Sequence, residues 1–141
     1  MYGSNTHPHP HIAISYNNIA SILYRMGKYE EAEFKYKKAL QICQITLEED
    51  HPQTSTIWNN LGQLFNKTGR YQNALQNLEK SLLIRWKIFG ETHYLTSSTY
   101  NNIGEVYNCL GEHEKALEYY DNANKIIEGK NDSQIATLYN N

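Results

Sequence analysis

The chain has 141 residues, 40% of them apolar, which is enough to form one domain with its own core and too much for a disordered tail. Its formal net charge of -2 lacks the basic excess by which proteins hold phosphate backbones, so nucleic acid is not an expected partner. Cys43 and Cys109 lie far apart and outside any CxxC spacing, which argues against a disulfide framework or a structural zinc site.

The N-terminal residues carry no basic stretch followed by an apolar one, and no apolar run reaches the length of a membrane span. A soluble, cytoplasmic chain with no membrane partner is therefore expected. The first feature along it is His7-Pro8-His9-Pro10-His11. In an extended segment these three imidazoles would project to one side, as a divalent metal site requires. However, His9-Pro10 returns as His51-Pro52, which makes it repeat punctuation, and an exposed triplet has no supporting hydrogen bonds. No metal and no cofactor is expected.

From Tyr16 onward the sequence repeats itself. Tyr16-Asn17-Asn18 returns as Trp58-Asn59-Asn60 and as Tyr100-Asn101-Asn102, a step of 42 residues. Gly27, Gly69 and Gly111 keep the same step, as do Ala32, Ala74 and Ala116, and His9, His51 and His93. A fourth copy, Tyr139-Asn140-Asn141, follows a shorter linker through Gly129 to Ser133. The expected units are about 9–50, about 51–92, about 93–131 and a partial fourth over about 132–141, all within one solenoid domain.

Each unit reads as two helices. Ile19, Ala20 and Leu23, echoed by Leu61, Gly62 and Phe65, mark one face of a first helix with a 3.6-residue period. Gly27, Gly69 and Gly111 end it, since glycine accepts the left-handed conformation just past the last turn. Tyr29, Ala32, Tyr36, Ala39, Leu40, Cys43 and Leu47 then step by three and four along a second helix, echoed by Tyr71, Ala74, Leu78, Leu82 and Phe89. Prolines stand only at 8, 10 and 52, ahead of first helices, where a missing N–H costs little. No strand-like alternation competes, so the fold class is all-α. Gly62 and Gly104 with Ala74 and Ala116 leave room for the paired backbones to approach, and Trp58, Phe65 and Tyr107 fill the space beside them. Near the end, Ile135, Ala136, Leu138 and Tyr139 are expected to form a short separate helix over the last full unit.

These residues resemble the tetratricopeptide signature, W-x2-L-G-x2-Y followed by A-x3-F. Trp58-x2-Leu61-Gly62-x2-Phe65 with Ala74-x3-Leu78 is one copy, and Tyr100-x2-Ile103-Gly104-x2-Tyr107 with Ala116-x3-Tyr120 is another. Trp86 stands where the usual proline falls, and the 42-residue unit with its doubled asparagines is similar to the long repeats of kinesin light chains. The resemblance implies a right-handed superhelix of antiparallel hairpins whose first helices line a concave, peptide-holding side. It implies no enzymatic activity. Asn17, Ser21, Asn60, Ser98 and Asn102 stand where a carboxylate clamp would need lysine or arginine, so that mode of binding is not indicated.

Positions i, i+4 and i+7 opposite the apolar stripe mark the expected groove: Asn17, Ser21 and Tyr24, then Asn59, Gln63 and Asn66, then Asn101, Glu105 and Asn108. Asparagine donates and accepts at once, so such a column suits the amides of an extended peptide. Asn18, Asn60 and Asn102 fall closer to a helix interface, where bonding between neighbouring repeats is at least as good a reading. Arg25 and Lys67 add a mild positive rim. Neither cysteine has a His or Asp arranged for nucleophilic catalysis. The leading expectation is thus a non-enzymatic scaffold that binds an extended peptide or partner segment. The alternative is a structural segment of a longer solenoid in a multidomain protein, with weak self-association through exposed repeat ends in either case.

Overall fold

A computed structural model of the chain describes residues 8–139. Six helices and no strand occur among them: α1 (Pro10–Arg25), α2 (Tyr29–Thr46), α3 (Pro52–Lys67), α4 (Tyr71–Phe89), α5 (Tyr94–Cys109) and α6 (His113–Tyr139). Consecutive helices pair as hairpins, α1 with α2, α3 with α4 and α5 with α6, and the hairpins stack so that α2 meets α3 and α4 meets α5. The first helices also touch one another, α1 with α3 and α3 with α5. The result is a right-handed α-α superhelix.

The same local devices recur in every unit. His9, His51 and His93 occupy the N-cap, where each imidazole Nδ1 accepts the backbone N–H two residues on, from His11, Gln53 and Leu95 at 3.2, 3.0 and 3.1 Å. Pro10 and Pro52 then take the first turn, where no N–H is needed. At the other end Gly27, Gly69 and Gly111 adopt φ of 77°, 79° and 78°. This left-handed turn lets Lys28, Arg70 and Glu112 donate backbone N–H back to the Leu23, Phe65 and Tyr107 carbonyls, closing the helix ends.

Ile57, Leu61, Leu64 and Leu78 of the central hairpin are fully buried, with Ala74 beside them. A Cβ built on Gly62 would fall 2.5 Å from Leu78 Cγ and 3.3 Å from the Ala74 carbonyl, so the two backbones approach as closely as the small residues imply. Phe65 is buried, and Trp58 and Tyr107 close over the core from its edge. In α1, by contrast, Ile19 is half exposed although its 42-step counterparts Leu61 and Ile103 are buried, because among the described residues no hairpin packs on that side of α1.

The C-terminal expectation fails. α6 runs unbroken from His113 to Tyr139, so the linker expected from Gly129 to Ser133 and the short helix over Ile135 to Tyr139 are absent as separate elements. No proline interrupts this stretch, and Gly129 is not among the glycines that turn left-handed, so the helix meets nothing that ends it. Asn140 and Asn141 lie outside the described residues.

Candidate functional site

The doubled asparagines of the three first helices form a ladder. Asn60 Nδ2 donates to Asn17 Oδ1 at 2.9 Å, and one unit on Asn102 Nδ2 donates to Asn59 Oδ1, also at 2.9 Å. The first asparagine of a unit accepts and the second asparagine of the next unit donates. A constant 42-residue translation lets one geometry serve twice. Gln63 Nε2 adds a longer bond to Asn102 Oδ1 at 3.3 Å.

This ladder draws on the first members of the expected groove column. Asn17 and Asn59 are each only 7% exposed, and their carbonyls are already used by the neighbouring repeat. Asn60 and Asn102 have the inter-repeat role expected for the second asparagine, and Asn18, with no first helix before α1 among the described residues, is exposed. Ser21 is also spoken for, by its own turn through the Asn17 carbonyl and by the Tyr36 hydroxyl at 3.0 Å. The period placed these residues on the first-helix face, but it could not tell the rim of that face from the seam between adjacent helices.

Beyond the ladder, six side chains from three helices converge. Tyr24 of α1, Gln63, Asn66 and Lys67 of α3, and Asn102 and Glu105 of α5 line a cavity of about 90 Å³. Its lining is mostly polar, and Asn66 Oδ1 is buried there without a hydrogen-bond partner among the described residues. Burial first, then the neighbouring Tyr29 and Glu105, push the Tyr24 phenol above its ordinary value, so it stays a neutral hydroxyl. The walls therefore offer an open acceptor, a neutral phenol, an ammonium and a carboxylate within one small recess. Asn101 is half-buried, and Asn108 is exposed and bonded to His113 Nδ1 at 2.9 Å. Arg25 is exposed at the last turn of α1.

Cys43 is buried, with its thiol raised by that burial, and Cys109 is exposed. His9 and His11 stack at 4.8 Å, while His7 lies outside the described residues. Among the described residues no group of three or more His, Cys, Asp or Glu side chains could hold a metal, and no helix is long and apolar enough to cross a membrane.

Stacked hairpins capped and stopped by the same residues at a fixed step define a helical-repeat scaffold. The tetratricopeptide repeat profile matches residues 11–85 and 56–128, and the chain belongs to that family. No curated protein matches the sequence. Among solved structures it is similar to BtubC (BKLC) from P. vanneervenii, with 30% identity over 84% of this chain and 48% of that one and a TM-score of 0.78. The TPR-like repeats of a kinesin-light-chain-type protein of Podosopora anserina give 21% identity, 86% and 58% coverage and a TM-score of 0.71. The TPR domain of Arabidopsis FLU gives 24% identity, 86% and 99% coverage and a TM-score of 0.74. The latter two show the fold alone. The chain spans about half of BtubC and under three fifths of the Podosopora chain. Repeats of this family generally mediate protein–protein interaction and typically serve as non-catalytic scaffolds.

Proposed function

We propose that the chain is a non-enzymatic scaffold that binds an extended peptide or partner segment along its first-helix face, with the recess around Asn66 as its recognising part. The observation that carries this reading is Asn66 Oδ1 itself. A buried acceptor without a donor is costly, by about 1–3 kcal/mol, and a backbone or side-chain N–H of a bound segment would relieve that cost. Tyr24, Gln63, Lys67 and Glu105 surround it with groups of every hydrogen-bonding kind, and Asn101 and Asn108 extend the same face along α5. Asn17, Asn59, Asn60 and Asn102 hold adjacent first helices in register and so shape the face.

Selection of a random peptide library on immobilised protein, repeated with Asn66→Leu and with Gln63→Ala, tests this. Selected peptides should lose roughly tenfold or more in affinity for Asn66→Leu while its melting temperature holds, one well-placed bond being worth about 1.4 kcal/mol. Affinity unchanged in both variants refutes the recess as the binding site.

A second reading, a segment of a longer stack, is favoured by one stripe. Ile12, Ile19 and Ile22 of α1 are 43, 45 and 57% exposed. Their counterparts Thr54, Leu61 and Leu64, and Thr96, Ile103 and Val106, are all buried where a preceding second helix covers them. The stripe is the surface that one more helix pair, or a second copy, would cover. Sedimentation velocity across a wide concentration range should show weak association that Ile19→Lys with Ile22→Lys abolishes. A strict monomer at all concentrations refutes self-association through this end.

A further inference from the structure

A much larger cavity lies away from the first-helix recess, between the C-terminal halves of the second helices. It measures about 880 Å³ and is bounded by α2, the turn after it, the start of α3 and α4. Its wall combines apolar groups, Cys43, Leu47, Leu83 and Ile84, with Trp58. The ring of Trp58 already receives a cation, with Lys80 Nζ 4.4 Å from its centre.

The repeat explains why this space is open. One 42-residue step on, Cys43 and Gln44 become Arg85 and Trp86. Arg85 is 3% exposed and wedged between α4 and α5, where its Nη1 donates to the Leu95 carbonyl at 3.2 Å and to Thr99 Oγ1 at 2.7 Å. Trp86, though 43% exposed, interacts with the Tyr100 hydroxyl, and Tyr100 is the counterpart of Trp58. The chain thus supplies its own guanidinium and indole at the second inter-repeat junction and a thiol and a carboxamide at the first.

The rim selects charge. Lys87 is neutralised by Asp50 at 2.9 Å. Glu48 and Glu49, the other two acids of the turn, form no ion pair among the described residues; Glu49 also acts on Lys87 at longer range, and the two acids outnumber Lys80, the wall's remaining cation. We infer that this cavity is a second binding site, and that its occupant is a partner-polypeptide segment carrying an aromatic side chain next to a basic one. The ring lies over Trp58 and the apolar wall, in the place Trp86 takes at the next junction, and the cation meets Glu48 and Glu49.

The test uses the blocked dipeptide N-acetyl-Arg-Trp-amide, with N-acetyl-Glu-Trp-amide as the charge control, followed by amide and indole NMR of the labelled chain. Saturable shifts are expected at the Trp58 indole N–H and at the Gln44, Leu47 and Leu83 amides. Binding should be about fivefold tighter for the arginine peptide, the effect of one screened charge contact. That preference should vanish in the Glu48→Gln, Glu49→Gln double variant. Gln44→Trp, which imitates the next repeat, should abolish the shifts without lowering the melting temperature. The proposal is overturned by absent shifts at millimolar peptide, by equal binding of both peptides, by shifts that persist in folded Gln44→Trp, or by shifts confined to Tyr24, Gln63 and Asn66. Perturbation of the same signals by protein concentration alone would assign the cavity to a second copy of the chain and also overturn it.

Discussion

Gly62→Ala adds a single methyl at the tightest point of the central hairpin. That methyl would lie 2.5 Å from Leu78 Cγ and 2.7 Å from its Cδ2, against about 3.5–4.0 Å for a relaxed carbon contact. Leu78 is fully buried, so roughly 1 Å of movement is needed where neighbours leave no slack, and overpacking of this kind costs about 1–3 kcal/mol. Helix propensity acts the other way, favouring alanine over glycine by about 1 kcal/mol in a helix interior. The net expectation is a loss of about 0–2 kcal/mol, or up to roughly 8 °C in melting temperature for a chain of this size. Gly104→Ala is the matched control. Its methyl meets Tyr120 Cδ1 and Cε1 at 3.0 Å, and that half-buried ring can turn aside, so clash and propensity nearly cancel. Urea and thermal unfolding followed by far-UV circular dichroism measure both. Leu78→Ala alone should cost about 2–5 kcal/mol, and combined with Gly62→Ala it should cost less than the sum, because the new methyl fills vacated space. A stabilised Gly62→Ala, or strict additivity in the double variant, refutes the close approach as the determinant of this hairpin.

Asn60→Ala leaves Asn17 Oδ1 buried without its donor and should cost about 1–3 kcal/mol, while Asn18→Ala at the exposed counterpart should stay within about 0.5 kcal/mol of the parent. Equal effects in urea unfolding would contradict the ladder. The Arg70 guanidinium, which bonds both Glu33 oxygens, holds that carboxyl below its ordinary value, with burial opposing and Lys37 assisting. A lowered carboxylate stabilises the fold above the ordinary carboxylate range and ceases to as pH falls through the lowered value. Arg70→Met should therefore cost at most about 1 kcal/mol at neutral pH and flatten the acid-side loss of stability, whereas parallel pH curves would refute the coupling. Burial drives the Arg85 guanidinium down to about 10, and no carboxylate among the described residues bonds it. Because Thr99 Oγ1 also donates to the Leu95 carbonyl, Arg85→Met leaves that acceptor satisfied and should stabilise the chain by about 1–3 kcal/mol. A loss of stability in thermal unfolding would show that the buried charge is a net asset.

What the residue order determined by itself was everything that depends on local chemistry or on period. The 42-residue step, the glycines that turn left-handed after first helices, the prolines at first turns and the small residues that let Gly62 meet Leu78 were all legible, because each follows from its own φ, its missing N–H or its missing side chain. The histidine caps were visible as a recurring residue but not as a function, since imidazole is not among the usual capping side chains and only its placement showed Nδ1 reaching the N–H two residues on. Tertiary structure alone decided which asparagines are seam and which are rim. A period assigns a residue to a face, but burial depends on how closely the next helix lies, and only the stacked hairpins show which asparagines reach across to a neighbour. It also decided that α6 continues past Gly129, and that Cys43 borders a cavity whereas Arg85, one repeat later, is buried against α5.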